Sequence, residues 1–267
     1  MSPEPDARLG EAALALVRQG LDRAAGLFVL GISGAQGSGK STLAAWLASR
    51  LASEGVQAAV LSLDDLYLTR ANRQKMAREI HPMFATRGVP GTHDVPLGLA
   101  VIAHLARGVA VALPRFDKAQ DDRSAPETWP IAPAMCRVLL LEGWCLGAVA
   151  QPEADLVEPV NALESIDDPH GIWRRHANAC LAGDYQRLFV RIDALIMLAA
   201  PSFAVVSKWR LEQEQKLPRG PGVMDEKAVS HFIQFYQRLS EWILHEMPTR
   251  ADLVARLDEG RGVQSLN

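Results

Sequence analysis

The sequence predicts an α/β fold in three layers, a mainly parallel sheet with helices on both faces, and three observations predict it. Short apolar runs rich in Val, Leu and Ile alternate with stretches of helical periodicity along most of the chain. The run Gly34-Ala35-Gln36-Gly37-Ser38-Gly39-Lys40-Ser41 has the spacing G-x-x-x-x-G-K-[ST]. It stands directly after one apolar run and before one helical stretch, the strand–loop–helix setting of a P-loop NTPase fold.

Six runs read as strands of one sheet: residues 27–33, 57–63, 109–113, 137–141, 194–199 and 253–257. Helical spacing covers 40–53, 97–107 and 203–215, and 225–246 is the longest helix, with Phe232, Phe235, Tyr236, Leu239, Ile243 and Leu244 forming an apolar stripe that reads as core. Residues 116–133 are polar and proline-punctuated, and 217–223 contain Pro-Arg-Gly-Pro-Gly, so both read as loops, the first a substrate wall and the second part of a small lid. The expected organisation is an N-terminal helical segment, 1–25, followed by one domain over 26–267, with a substrate-loop insertion near 114–135 and the lid near 207–224.

Composition narrows the function. With 48% hydrophobic and 22% charged residues the chain is an ordinary globular one, which excludes disordered and fibrous classes. A net charge of −3 and a pI near 6.2 supply no diffuse positive field, so nucleic acid is not expected as a partner. Cys136, Cys145 and Cys180 are too few and too scattered for a disulfide framework or a zinc site and read as buried thiols of a reducing compartment. Residues 1–25 do not have the pattern of a secretory signal, and no apolar stretch approaches the ~20 residues that span a bilayer. The expectation is a cytoplasmic protein with no membrane association and no obligate protein partner.

The glycine-rich run explains itself chemically. Side chains would keep a triphosphate away from the backbone, so Gly34 to Ser41 and Thr42 are read as the nucleotide cradle, with amides pointing inward above a helix N-terminus. Lys40 reaches for the β- and γ-phosphates and Ser41 for Mg²⁺, so ATP and Mg²⁺ are the expected cofactors. In open parallel sheets ligands sit beyond the carboxyl ends of strands. The second strand ends in Asp64-Asp65, one of which can face the crevice to take a proton from an attacking hydroxyl or to hold magnesium through water. The strand 137–141 runs into Glu142, an acid placed to serve the same metal. Asp94 precedes a helix and reads either as an N-cap or as an acceptor for substrate hydroxyls. Arg115, Lys118 and Arg123 concentrate cations at the ligand edge, as an anionic substrate would require. Lys208, Arg210, Lys216 and Arg219 flank the lid loop.

These residues resemble a family. The segments GAQGSGKST (34–42), SLDDLYLT (62–69), RGVPGTHD (87–94), LPRFDKA (113–119), TWP (128–130), LLLEGW (139–144) and KWRLEQE (208–214) are similar to those of the plant-type D-glycerate 3-kinases and their fungal and bacterial relatives. That group stands with phosphoribulokinase, uridine kinase and pantothenate kinase among P-loop kinases. The resemblance implies phosphorylation of D-glycerate to 3-phosphoglycerate. It further implies Asp64 as catalytic base, also near the metal, with Lys40 and a lid cation, Arg210, on the transferred group. Glu142 would be the acid near Mg²⁺, and His93, Asp94, Arg115, Phe116 and Lys118 the substrate wall. Another acceptor (pantothenate, a nucleoside or a sugar phosphate) and a regulatory NTPase without a metabolite acceptor are the alternatives. The chain has no N-K-x-D element for guanine, and its only D-x-x-G, at 168–171, contains a proline and follows no expected strand.

Overall fold

Strand β1 (Phe28–Gly34) is buried along its whole length and forms the centre of a six-stranded sheet. The computed structural model describes residues 4–215 and 226–267. Before β1 comes α1 (Ala7–Arg23), capped by the Asp6 carboxylate and packed into the core through Leu9, Ala13, Leu14 and Val17. After it come α2 (Lys40–Ser53), β2 (Ala58–Ser62), α3 (Arg70–Glu79) and α4 (Val95–Ala106), then the short pieces β3 (Val111–Ala112), β4 (Phe116–Asp117), β5 (Asp122–Arg123) and β6 (Ile131–Ala132). The core resumes with β7 (Val138–Gly143), followed by α5 (Ala162–Asp167), α6 (Ile172–Cys180), α7 (Gln186–Phe189) and β8 (Ala194–Ala199). Helices α8 (Phe203–Gln215) and α9 (Glu226–Glu246) precede the hairpin β9 (Leu253–Leu257) and β10 (Val263–Leu266).

The sheet order is β10-β9-β8-β1-β7-β2, with only β10 antiparallel to its neighbour. β1, β7 and β8 are buried at every position, as continuous apolar runs covered by helices on both faces must be. Edge strand β2 instead alternates between buried and half-buried residues. Successive connections leave β1 toward β2 on one side and cross to β8 on the other. The carboxyl end of β1 is therefore a switch point, where a crevice opens for a ligand.

Two expectations are corrected. The run 109–113 does not join the main sheet: only Val111 and Ala112 form a ladder, antiparallel to β6. Both are half-buried, Val109 is 45% exposed and Pro114 lacks an N–H, so the segment has neither two apolar faces to bury nor an unbroken set of donors. The sixth strand is β10, a polar edge strand that buries only Val263 and gives no apolar signal. The stripe on α9 is core as expected, with Phe235, Tyr236 and Ile243 buried. All three cysteines are free thiols, Cys136 and Cys145 fully inside. The loop 217–223, with Lys216 and Arg219, lies outside the described residues.

The stretch between β7 and β8 is held by buried arginines. Arg238 of α9 donates to both carboxylate oxygens of Glu164 (2.7 and 2.6 Å) and to the carbonyls of Asp155 and Glu158 (2.6 Å each). Arg174 likewise joins α6 to Asp168 and to the carbonyls of Leu156 and Val157. Removing one member of such a pair leaves the other charged and dry. Glu164→Ala is expected to lower unfolding stability by about 3 kcal/mol in urea titrations; a loss below about 1 kcal/mol would show that Arg238 is satisfied by the carbonyls alone.

Candidate active site

The phosphate loop begins where β1 runs out of sheet. A Cβ on Gly34 would lie 2.7 Å from Ser38 Oγ and 3.0 Å from the Leu198 backbone carbonyl, so only glycine lets the chain turn there. Gly37 and Gly39 take φ values of +80° and +94°, conformations that L side chains rarely adopt. The Ala35 carbonyl accepts from Ser38 N (3.2 Å) and from Lys40 Nζ (3.0 Å), closing the loop on itself. Helix α2 starts at Lys40 with no side chain capping its first turn, which leaves amide donors for an incoming anion.

Pairing of β1 with β7 brings the acid to this loop. Ile32 lies beside Glu142, and Ser41 Oγ donates to Glu142 Oε1 at 3.0 Å. Burial pushes the Lys40 ammonium below its ordinary pKa, against the pull of Glu142 and Asp64. A bound triphosphate would restore the opposing charge. These groups border a cavity of about 590 Å³ together with Gln36, Gly37, Gly39, Thr42, Asp64, Lys118, Trp144 and Arg261, the size of an ordinary ligand site. Gly34, Ala35 and Ser38 do not line it.

The two aspartates after β2 do diverge, but the reason is not strand alternation. The strand stops at Ser62, and residues Leu63–Leu66 form a 3₁₀ turn capped by the Ser62 hydroxyl. Asp64 faces the cavity, accepting from Lys118 Nζ (2.6 Å) and from the Tyr67 hydroxyl (2.9 Å). Asp65 turns the other way and clips the substrate loop, accepting from Phe116 N and Arg115 Nη1 at 3.1 Å each. Burial would raise Asp64, but the Lys118 charge and the bonds from Lys118 and Tyr67 outweigh it and hold the carboxyl below its ordinary value. Burial prevails at Asp65, which is raised despite the Phe116 amide and Arg115.

The expected substrate wall is a set of joined parts. Asp94 is the N-cap of α4, accepting from Leu97 N at 3.1 Å, and its second oxygen accepts from Arg123 Nη2 at 3.0 Å. Phe116 is buried, edge-on to Tyr67 and flanked by the guanidinium groups of Arg73 and Arg87. His93 stacks on Tyr67 with ring centroids 4.5 Å apart, and its Nδ1 lies 2.5 Å from the Tyr185 hydroxyl. Of the wall residues only Lys118 borders the cavity itself. Arg210 lies on α8 with its guanidinium 5.7 Å from the Phe232 ring, and does not line that cavity. Asp168 of the D-x-x-G run is a buried structural anion, accepting from the amides of Trp173 and Arg174.

Sequence reasoning missed Trp144 as a structural tie and Arg261 altogether. The Trp144 indole donates to the Gly88 carbonyl at 2.9 Å, fastening the 87–94 loop to the end of β7. Arg261, from the β9–β10 turn, donates to the Gly37 carbonyl at 2.8 Å. Nothing local marks either role, since both partners are distant in sequence.

The residues fit a magnesium nucleotide. A Cβ at Gly39 would enter open space above the uncapped helix, so glycine keeps that approach clear. Among the described residues no group of three or more His, Cys, Asp or Glu is placed to hold a metal. Ser41 and Glu142 would offer two oxygen donors to a Mg²⁺ carried in with the nucleotide. Among the described residues no helix is long and apolar enough to cross a membrane.

The chain is similar to proteins already known. The chain is 33% identical over 226 residues to the uncharacterized kinase mug58 of Schizosaccharomyces pombe, covering 78% of each. It is 29% identical to the chloroplastic D-glycerate 3-kinase of Arabidopsis thaliana, covering 87% of this chain but 53% of that protein, so it spans about half the plant relative's length. The D-glycerate 3-kinase structure from Cryptococcus neoformans superposes with a TM-score of 0.82 at 24% identity, over 98% of this chain and 99% of that one, a likeness of fold. The family model described as methylmalonyl Co-A mutase-associated GTPase MeaB matches residues 2–67, a stretch holding the phosphate loop and ending before Glu142.

Burial of His93 makes a solution property testable. Burial lowers its pKa from 6.5 to about 4, so the folded imidazole stays neutral while the unfolded one takes a proton near 6.5. Stability from this group is full above about 6.5 and is lost as pH falls toward 4, by up to about 3 kcal/mol. His93→Gln is expected to flatten the slope of unfolding free energy between pH 6.5 and 4 by roughly one proton per molecule; an unchanged slope would place the histidine in contact with water.

Proposed function

This chain belongs to the family of P-loop kinases that includes mug58 and D-glycerate 3-kinase, and we propose that within it the protein transfers the γ-phosphoryl group of ATP, with Mg²⁺, to the primary hydroxyl of D-glycerate, giving 3-phosphoglycerate and ADP. The observation that carries the reading is one cavity shared by two half-sites, the phosphate loop with Ser41 and Glu142 on one side and Asp64 with Lys118 on the other. A phosphoryl donor and a hydroxyl acceptor need to be brought face to face and little else, because the transfer asks for positioning and charge neutralisation more than for covalent work by the protein.

Asp64 suits the role of base. Its carboxyl is held below the ordinary range, so it is ionised at neutral pH, and Tyr67 fixes one of its oxygens. Lys118 suits the substrate's carboxylate. In binding it, Lys118 would exchange its contact with Asp64 for the ligand, freeing the base to accept from the hydroxyl. Arg115, Phe116 and Asp94 then act by holding the 113–123 loop, through Asp65, Tyr67 and Arg123. Lys40 would lie along the β- and γ-phosphates, and Ser41 and Glu142 would hold the Mg²⁺ that offsets their charge. Arg210 as a lid cation is supported by the resemblance of 208–214 alone.

Incubation of the protein with Mg-ATP and D-glycerate, pantothenate, a nucleoside or a sugar phosphate, followed by mass analysis of the product, is expected to give phosphoglycerate. Turnover of another acceptor with none of glycerate would overturn the substrate, and ATP hydrolysis indifferent to every acceptor would overturn transfer. Asp64→Asn is expected to lower kcat by roughly 10²- to 10⁴-fold with little change in the Kd for MgATP. Lys118→Ala is expected to raise the KM for glycerate by at least about tenfold, the effect of losing one charged contact; equal KM values would remove Lys118 from the acceptor site.

A further inference from the structure

The 87–94 loop is joined by its backbone to the turn that carries Asp64. Leu68 N donates to the Thr92 carbonyl at 2.9 Å and Asp94 N to the Leu66 carbonyl at 2.6 Å, an antiparallel pairing of Tyr67 with His93. That pairing lays the imidazole on the Tyr67 ring, whose hydroxyl donates to Asp64. His93 and Asp64 are close enough for each to feel the other's charge.

Tyr185 decides which ring nitrogen of His93 carries the hydrogen. It ends a π-type turn, Leu181–Tyr185, between α6 and α7, a rare geometry that recurs at functional sites. The side chain is buried and edge-on to His93, with ring centroids 5.7 Å apart. Burial pushes the Tyr185 phenol up, so its oxygen keeps one hydrogen to give. That oxygen already accepts from Gly91 N at 3.0 Å, and among the described residues the acceptor left for its hydrogen is His93 Nδ1, 2.5 Å away. Nδ1 is then the lone-pair nitrogen, and the neutral imidazole holds its hydrogen on Nε2. His93 is 5% exposed, and Nε2 has no hydrogen-bond partner among the described residues. A dry donor left unpaired is unfavourable, and one beside the proposed base is accounted for by a ligand that pairs it.

We propose that the Nε2–H of His93 donates to the hydroxyl of the acceptor that is not phosphorylated, and that Tyr185 is the positioning residue that fixes this tautomer. The proposal rests on the acceptor half of the function proposed above. Of the polar groups on D-glycerate, the carboxylate suits Lys118 and the transferred hydroxyl suits Asp64. The hydroxyl next to the carboxylate remains, an uncharged oxygen matched to an uncharged donor. His93 does not itself line the cavity, so the proposal includes that the exchange of Lys118 from Asp64 to the ligand uncovers Nε2. The site is thereby one for vicinal dihydroxy acids rather than for any small acid with a terminal hydroxyl.

Two measurements test it. In ¹⁵N NMR spectra of the folded protein, the His93 ring is expected to show a lone-pair Nδ1 and a hydrogen-bearing Nε2; the reverse assignment would overturn the tautomer and the proposal with it. In kinetic assays with Mg-ATP, D-glycerate is compared with 3-hydroxypropanoate, which lacks the second hydroxyl. The parent protein is expected to favour glycerate in kcat/KM by at least about tenfold, since the analogue leaves a buried donor unpaired. His93→Phe keeps a ring on Tyr67 without a donor, and is expected to remove most of that preference while the Kd for MgATP stays at the parent value. Tyr185→Phe lets His93 take either tautomer, and is expected to lower kcat/KM more for glycerate than for 3-hydroxypropanoate. Equal losses for both acceptors in the two variants would make the pair merely structural and overturn the proposal, as would a preference absent from the parent or undiminished in His93→Phe; glycerate turnover in those cases leaves the kinase reading standing. Parent protein that phosphorylates neither acid would defeat the glycerate reading itself and this contact with it.

Discussion

Parallel pairing of β1 with β7, in the register that sets Ile32 beside Glu142 and Ser33 beside Gly143, is the constraint on which the site depends. It brings two strand ends that are more than a hundred residues apart to a common edge, with the phosphate loop at one and an acid at the other. The 3.0 Å contact between Ser41 and Glu142 follows from that register, because Ser41 lies in the first turn of the helix that the loop begins. A slip of one position would turn Glu142 to the opposite face of the sheet and leave Ser41 facing apolar side chains. The apolar burial of β1, β7 and β8 on both faces is what forbids the slip. The core therefore fixes the chemistry at its edge, and the loops need only complete it.

The second half of the cavity is organised differently, by ion pairs between short segments. Asp64 with Lys118, Asp65 with Arg115, Asp94 with Arg123 and Arg73 with Asp121 join the turn after β2, the start of α4 and α3 to the 113–123 loop. Arg73 is 1% exposed and also serves the carbonyls of Leu68, Ala85 and Asp121, so this pair anchors the loop from below. The Lys118 contact is the exposed one, with 60% of its side chain in water, and in such a setting an ion pair is weak. These segments thus combine a buried anchor with an exposed, weakly held ion pair at the cavity, the one that an anion would displace under the proposed function.

How far the sequence could be read depended on the range of the interaction involved. The phosphate loop, α2, β8 and β9 were legible because each is written locally, in glycine spacing, helical periodicity or a short apolar run. Glu142 was legible as an acid at a strand end. The split between Asp64 and Asp65 was anticipated for the wrong reason, since a 3₁₀ turn and not a strand separates them. Strand 109–113 misled because its apolar letters say nothing about the partner they find, which is two residues of β6. Trp144, whose indole meets a carbonyl 56 residues away, and Arg261 on a polar hairpin carry no periodic signal at all. Their positions are products of tertiary packing.

Arg261 meets the Gly37 carbonyl across 224 positions of chain. During synthesis the phosphate loop leaves the ribosome early, while the hairpin that closes its flank is not yet made. At roughly 5–20 residues per second that interval lasts about 10 to 45 seconds. Throughout it the nascent loop has no C-terminal wall beside it. Completion of the cavity is therefore a late event, and ligand present in the cell meets the finished pocket only after translation has passed the final parallel strand.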